Sequence, residues 1–230
     1  MKTVGIIGGL GPETTAHFCL EIIKQSKDKG ASSRPPLLMW NVPLPLEIER
    51  DLILHSKGEE RYIPLLVEAA QKLEKGGADF LVMPCNSLHI FIGQIRDSVS
   101  IPMLSIVEIA CEHLKEQHVQ SVGILATTTT VRAEMFQQAL NMRGIKPILP
   151  SNSDQKLLAQ IILRIIEGKS DQAEQKELEE IVLRMKVDTI LLACTDLQLL
   201  LHEIKRVQII DTMHLLAEAV VKELLANTQV

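Results

Sequence analysis

Two cysteines in similar settings are the residues of this chain best suited to chemistry. Each ends a short apolar run and precedes polar residues, in the segments Pro84-Cys85-Asn86-Ser87 and Ala193-Cys194-Thr195-Asp196. A cysteine between a strand and a helix N-terminus is favoured as thiolate, because the helix dipole stabilises negative charge there. Such thiols can exchange protons near neutral pH or act as nucleophiles. We therefore predict that Cys85 and Cys194 are the reactive groups.

The other two cysteines lie in a different context. Cys19 and Cys111 occur within helical patterns among apolar neighbours, which predicts a place in the core. The four cysteines contain no CxxC pair, so no metal site is predicted. The chain is neither short nor rich in cysteine, and we expect free thiols in a reducing cytoplasm.

Polar residues close to the two reactive cysteines have more than one interpretation. His89 follows Cys85 by four residues, about one helical turn, and could orient or polarise the thiol or be an ordinary helix histidine. Asp196 could position the surroundings of Cys194 or cap a helix. Thr127 opens a run of four threonines whose hydroxyls could bind a carboxylate or cap the next helix.

A glycine-rich turn, Gly8-Gly9-Leu10-Gly11-Pro12, follows the first apolar run. It lacks the spacing of a dinucleotide-binding loop, and the second apolar run ends in Asn41 instead of an acidic residue. The backbone N–H groups around Leu10 could bind a small anion such as a carboxylate, or the segment could be only a tight turn.

The elements that must position these residues follow an α/β pattern, in which short apolar runs alternate with amphipathic stretches. The apolar runs predict strands near Val4–Ile7, Leu37–Trp40, Phe80–Met83, Ile101–Ile106, Val122–Leu125, Ile145–Leu149, Thr189–Leu192 and Val207–Ile210. Helical spacing predicts helices near Thr14–Lys27, Tyr62–Lys75, Arg132–Met142, Gln155–Ile166, Glu174–Met185 and Leu215–Leu225.

The two halves of the chain resemble each other. The segment from Ala78 to Cys85 matches that from Val187 to Cys194, with an aspartate, an apolar run and then the cysteine. We predict two similar parallel-sheet lobes related by a pseudo-twofold axis, with Cys85 in the first (1–105 and 210–230) and Cys194 in the second (106–209). Ligands bind outside the carboxyl ends of such strands, so a site in the cleft between the lobes would lie between the two thiols.

The bulk composition excludes several classes of function. The chain has 230 residues, 46% of them hydrophobic, and a net charge of -5. Such a charge predicts no nucleic-acid partner and no attraction to anionic lipid. No apolar run is long enough to suggest a membrane span. We expect a globular protein of the cytoplasm that acts on a small molecule.

Taken together, these motifs resemble those of the aspartate/glutamate racemases, which need no pyridoxal phosphate. The resemblance spans essentially the whole chain and rests on Gly8-Gly9-Leu10-Gly11-Pro12, Pro84-Cys85-Asn86-Ser87-Leu88-His89, Leu125-Ala126-Thr127-Thr128-Thr129-Thr130, Ala193-Cys194-Thr195-Asp196 and Asp211. It implies a racemase of a small acidic amino acid with no cofactor and no metal, and a homodimer.

The resemblance also implies roles for single residues. Cys85 and Cys194 would be the acid/base thiols, supported by His89 and Asp196. The substrate would be bound by Leu10, Asn86, Ser87, Thr127 and Thr195, with Arg50 and Lys156 on the side-chain carboxylate. From sequence alone, Arg50 and Lys156 would be ordinary surface charges.

Four positions depart from the family pattern, and three other functions stay open. Thr129 and Ala193 stand where glycine is usual, Asp196 replaces a glutamate, and Gln198 replaces a proline. These changes leave the substrate preference undecided. The alternatives are a related enzyme on the same scaffold (a racemase of another amino acid or of hydantoins, another isomerase or a decarboxylase), a hydrolase with one nucleophilic cysteine, and a two-lobed binding protein without catalysis.

Overall fold

The computed structural model describes residues 1–45, 48, 58–201 and 203–226. Within them the chain forms seven strands: β1 (Val4–Gly8), β2 (Leu37–Asn41), β3 (Phe80–Val82), β4 (Ser121–Ala126), β5 (Lys146–Ile148), β6 (Thr189–Ala193) and β7 (Gln208–Asp211). The described helices are α1 (Pro12–Asp28), α2 (Ile63–Lys75), α3 (Ile92–Asp97), α4 (Ile106–Glu116), α5 (Thr128–Arg132), α6 (Met135–Asn141), α7 (Asn152–Ile166), α8 (Gln172–Met185) and α9 (Thr212–Leu225). Short 3₁₀ turns cover Glu59–Tyr62, Ser87–Phe91 and Leu197–Leu199.

The strands form two sheets in which every pair of neighbours is parallel. The first sheet has the order β2-β1-β3 and the second the order β5-β4-β6-β7. Strands β1, β3 and β6 are buried along their whole length, as expected for parallel strands covered on both faces. These observations confirm the predicted α/β class with two similar parallel sheets.

The strand order repeats in the two halves of the chain. In each half the first strand lies between the second and the third, so β1 corresponds to β4 and β3 to β6. A glycine lies within each of these first strands at a close approach. A Cβ atom on Gly5 would lie 2.6 Å from Leu81 Cδ2, and one on Gly123 would lie 2.5 Å from Ile190 Cδ1. Both glycines therefore allow tight packing that a larger residue would disrupt.

The described residues divide into two compact units. One contains 1–45, 59–109 and 213–226, and the other contains 48, 58, 110–201 and 203–212. The chain therefore begins in the first unit and returns to it at its last helix. Strand β7 pairs with β6, so Ile210 and Asp211 belong to the second sheet, and the first unit resumes at Met213 instead of residue 210.

Two elements differ from their prediction. The run Ile101–Ile106 forms only an isolated bridge between Met103 and Leu81, since Pro102 has no N–H for a ladder and α4 begins at Ile106. The helix predicted from Arg132 to Met142 is interrupted after its first residue, since α5 ends at Arg132 and α6 begins only at Met135, after Glu134 with its φ of +54°.

Helix α9 attaches the end of the chain to its beginning. Lys2 Nζ lies 2.8 Å from Glu223 Oε2, and His214 Nδ1 lies 2.9 Å from Glu21 Oε1. The helix also contributes side chains that are fully buried. No helix among the described residues has the length and apolar character that a membrane span requires.

Candidate active site

Cys85 lies in the first unit, just beyond the carboxyl end of β3. Its side chain is half-buried, and its N–H donates to the carbonyl of Met83 at 2.8 Å. Asn86 and Ser87, which follow it, are buried. Because β3 is paired with β1, the turn after β1 lies at the same edge of the sheet. The structure therefore brings Cys85, Asn86 and Ser87 to the edge where an α/β sheet binds ligands.

The glycine-rich turn after β1 is held together by its own chain. The N–H of Gly9 donates to Thr15 Oγ1 at 3.1 Å, and this hydroxyl donates to the carbonyl of Gly11 at 2.9 Å. Leu10 is buried within the turn. The N–H of Gly9, one of the groups of the turn that could have bound an anion, therefore donates to Thr15 instead.

His89 is buried and contacts main-chain groups through both ring nitrogens. Its Nδ1 lies 2.7 Å from the carbonyl oxygen of Cys85, and its Nε2 accepts from the N–H of Ile106 at 3.2 Å. Burial lowers the pKa of His89 to about 4, so the ring is neutral at pH 7. The contact of Nδ1 is with the main chain of Cys85. It therefore fits a residue that orients the thiol better than one that polarises it.

Cys194 follows β6 directly in the second unit and is buried. Its Sγ donates to Asp196 Oδ2 at a distance of 3.7 Å. The carboxyl of Asp196 is thus within hydrogen-bonding reach of the sulfur, and the two groups can share one proton. Thr195, between them, is buried, and its carbonyl accepts from Gln198 Nε2 at 2.9 Å. The glutamine that replaces the usual proline thus stabilises the turn after the cysteine.

The segments after the two cysteines are shorter than the sequence predicted. A five-residue 3₁₀ turn, Ser87–Phe91, follows Cys85, and a three-residue turn, Leu197–Leu199, follows Cys194. We expected a helix N-terminus next to each thiol. Few peptide dipoles are aligned in such turns, so their stabilisation of a thiolate is weaker than that of a long helix.

Thr127 acts as the N-cap of α5. Its Oγ1 accepts from the N–H of Thr130 at 3.2 Å and lies 3.0 Å from Thr130 Oγ1. Ala126 of β4 is paired with Ala193 of β6, so Thr127 and Cys194 both come directly after this pair. The structure thus brings Thr127 and Cys194 to one edge of the second sheet, and one of the two predicted uses of Thr127, the cap, is present.

Two cations, Arg50 and Lys156, were predicted to bind the side-chain carboxylate of the substrate, and only Lys156 lies among the described residues. Arg50 lies outside the described residues. Lys156 is exposed near the start of α7. The preceding residue, Gln155, was not predicted, but its Nε2 donates to the carbonyl of Ala126 at 2.9 Å. Its spacing of three residues from the buried Leu158 was the available signal, since it places Gln155 on the buried face of α7.

The two remaining cysteines are not part of these clusters. Cys111 is fully buried, as predicted, and burial raises the pKa of its thiol to about 12. Cys19 is only half-buried, so the prediction of a core position is wrong in part. The described part of the chain contains no cluster of three His, Cys, Asp or Glu side chains that could hold a metal ion.

The strand order and the cysteines define an α/β protein with two repeated parallel sheets, each carrying a cysteine after its third strand. Residues 7–220 match the family model of the Asp/Glu/hydantoin racemases, which is most of the chain. The chain therefore belongs to this family. It is an amino-acid racemase, an isomerase, and chemistry without pyridoxal phosphate fits the family.

Individual relatives agree with this assignment. The broad specificity amino-acid racemase RacX of Bacillus subtilis (strain 168) is 30% identical over 230 residues, covering 97% of this chain and 98% of the relative. The crystal structure of a Yersinia pestis protein, provisionally assigned as an Asp/Glu racemase, superposes with a TM-score of 0.84 at 25% identity, covering 98% of this chain and 100% of that one. The aspartate racemase of Picrophilus torridus, 23% identical, has the same fold with a TM-score of 0.82, covering 97% of this chain and 94% of its own.

Proposed function

We propose that this protein interconverts the L and D forms of a small acidic amino acid, aspartate or glutamate, and that Cys85 and Cys194 transfer the proton without a cofactor. The observation that carries the proposal is the equivalent position of the two cysteines. Each follows the third strand of its sheet, next to the central first strand. A repeated position of two thiols suits a reaction that needs the same chemistry on two faces of one carbon.

The reaction is a proton transfer with no net change in composition. One cysteine, as thiolate, takes the α-proton, and the electron pair stays on the α-carbon and its carboxylate. The other cysteine, as thiol, gives its proton to the opposite face, which inverts the configuration. The thiolate and the thiol have then exchanged roles, so the reverse reaction starts from the other side.

The environment of Cys194 fits the proton-donating role. Its sulfur lies 3.7 Å from Asp196 Oδ2, a contact in which a thiol would donate to an ionised carboxylate. Hydrogen-bond donors close to the substrate carboxylate would stabilise the charge that develops when the α-proton leaves. Thr127, Thr195 and Asn86 are the side chains that we propose for this purpose.

A hydrolase with one nucleophilic cysteine is less consistent with the site. Such an enzyme needs a base that activates the thiol. His89, the histidine closest in sequence to Cys85, has its ring nitrogens engaged by main-chain groups at 2.7 and 3.2 Å. Its pKa of about 4 makes it a poor base at neutral pH.

A wider range of substrates is the second candidate. The relative that covers nearly the whole chain is a broad specificity amino-acid racemase. We propose Arg50 and Lys156 as the cations that would favour a second carboxylate. If they do not bind the substrate, neutral amino acids should react as well as aspartate.

The test is incubation of the protein with both enantiomers of aspartate, glutamate and a panel of neutral amino acids in D2O. Proton NMR reports loss of the α-proton, and chiral chromatography reports inversion. Preference for dicarboxylic substrates supports the first proposal, and equal rates across the panel support the second. A protein that binds amino acids without exchanging the α-proton would contradict both.

Substitution of either cysteine tests the roles of the two thiols. We expect Cys85→Ser and Cys194→Ser each to lower kcat by about 10²- to 10⁴-fold, because an alcohol is a much weaker acid than a thiol. Cys19→Ser is the matched control, since Cys19 lies on α1 outside the site. A single variant that kept normal turnover of both enantiomers would rule out the two-thiol mechanism.

A further inference from the structure

We propose that His89 is a positioning residue, which fixes the main chain of Cys85 through a hydrogen bond from its ring to the Cys85 carbonyl. This inference rests on the proposed role of Cys85. It assigns His89 no proton transfer of its own. The thiol then depends on His89 for its placement and not for its ionisation.

The hydrogen-bond partners determine which ring nitrogen carries the proton. The amide N–H of Ile106 can only donate, so Nε2, 3.2 Å away, must accept. A neutral imidazole then has its proton on Nδ1, which donates to the carbonyl oxygen of Cys85 at 2.7 Å. Both ring nitrogens are satisfied only in this neutral tautomer.

The surroundings of the ring favour the same neutral form. His89 is 3% exposed. The charged groups that act on it are Arg96 and Glu108, which neutralise each other in an ion pair of 3.0 Å. Burial is the largest cause of the lowered pKa of about 4. The ring therefore stays neutral over the pH range in which thiols exchange protons.

The Nε2 side of the ring accepts a hydrogen bond from a segment that is itself held by strand β3. Ile106 is the first residue of α4, and the chain just before it pairs with β3, where the N–H of Leu104 donates to the carbonyl of Leu81 at 3.0 Å. His89 thus links the turn that carries Cys85 to a segment anchored on the strand that precedes it. A thiol that must lie within reach of one α-proton needs this fixed main chain, because a displacement of 1 Å costs about 100-fold in rate.

Two substitutions separate the two hydrogen bonds. In His89→Asn the side-chain amide nitrogen replaces Nδ1, so the donor to Cys85 is kept and the acceptor for Ile106 is lost. In His89→Gln the amide oxygen replaces Nε2, so the acceptor is kept and the donor to Cys85 is lost. Both variants lose one hydrogen bond and part of the ring volume, which makes them matched controls for each other.

We expect the two variants to differ in kcat. His89→Asn should retain kcat within about 10-fold of the wild type, and His89→Gln should lose about 100-fold, with little change in KM because the substrate contacts remain. A purely structural role would lower the stability of both variants without separating their kcat values. Equal kcat in the two variants, or a higher value in His89→Gln, would overturn the proposal.

A second measurement does not depend on activity or on the folding of a variant. Nitrogen-15 NMR of labelled histidine rings in the wild-type protein distinguishes the two neutral tautomers, with the His89 signals assigned through the backbone resonances of the same protein. We expect a proton on Nδ1 of His89 that persists from pH 8 to pH 6. A proton on Nε2, or titration of the ring in this range, would overturn the proposal even if neither variant folds.

The labelling rate of Cys85 separates this inference from the proposed function. Iodoacetamide modification, followed by peptide mapping, should be several-fold faster at Cys85 in His89→Gln than in His89→Asn, and equal at Cys19. If the wild type exchanged no α-proton, the proposed function would fail, and the tautomer and the labelling rates would still decide the role of His89.

Discussion

Cys85 and Cys194 each have a polar neighbour a few residues further along the chain, and the two neighbours contact different atoms. His89 contacts the carbonyl oxygen of Cys85, whereas Asp196 contacts the sulfur of Cys194. The first contact involves the main chain of its cysteine, and the second involves the sulfur atom itself. Two positions that are equivalent in strand order therefore differ in the polar group that contacts them.

The neutral state of His89 predicts a specific loss of stability in acid. In the unfolded chain a histidine has a pKa near 6.5, whereas in the folded protein the pKa of His89 is about 4. Below about pH 6.5 the unfolded state binds a proton that the folded state does not, so this contribution is present above that pH and is lost as the pH falls towards 4. The decrease in the free energy of unfolding that is due to His89 should reach about 3 kcal/mol.

His89→Asn provides the reference for this measurement, because asparagine does not titrate. Urea unfolding of both proteins at pH 7.5 and 4.5 gives the free energies. The free energy of unfolding of the wild type should exceed that of His89→Asn by a larger amount at pH 7.5 than at pH 4.5. A difference between the two proteins that stayed constant with pH would show that His89 is not held neutral.

At the scale of the elements, the sequence was most informative where a local pattern decides the structure. The buried strands and the long helices could be predicted from apolar spacing, and the cysteines from their place after strands. The separation of α5 from α6 at Glu134 could not, because a left-handed backbone there depends on packing. Gln155 was missed because its partner, Ala126, is distant in sequence and contacts it only in the fold.

The cap of α5 allows the structural role of Thr127 to be separated from substrate binding. Thr127→Ala should lower the free energy of unfolding by about 1 kcal/mol, because the N–H of Thr130 loses its acceptor, and Thr127→Ser should retain most of it. Asp171→Ala, which removes the N-cap of α8, is the control for stability alone. If Thr127 also binds the substrate carboxylate, Thr127→Ala should raise KM, whereas Thr127→Ser and Asp171→Ala should not. Steady-state kinetics and urea unfolding of the three variants measure the two effects.

At the scale of the whole molecule, the path of the chain is the dominant feature. Most of the second unit comes from the stretch 110–212, to which the described residues 48 and 58 are added, whereas the first unit is formed by two described segments from the first half and the terminal helix. Helix α9 contributes Leu216, Val220 and Val221, all with 0% exposure. The first unit is therefore incomplete without residues that are distant in sequence.

Truncation after Thr212 should destabilise the protein strongly. Loss of the buried side chains of α9 removes more than about 4 kcal/mol, since each fully buried Leu or Val contributes about 1.5–3 kcal/mol. Thermal unfolding followed by circular dichroism measures the loss. Glu223→Gln is the control, because it breaks only the surface ion pair with Lys2 and should change the stability by less than about 1 kcal/mol. A truncated protein with an unchanged Tm would contradict this assignment.

The return of α9 to the first unit also has a consequence for biosynthesis. A ribosome releases the chain from its N-terminus, so residues 110–212 have all emerged before the terminal helix is complete. The part that is translated first is therefore the last to acquire all of its packing partners. We expect the half with Cys194 to become protease-resistant on the ribosome before the half with Cys85. Until α9 is complete, the strands of the half with Cys85 would be the segments that chaperones bind.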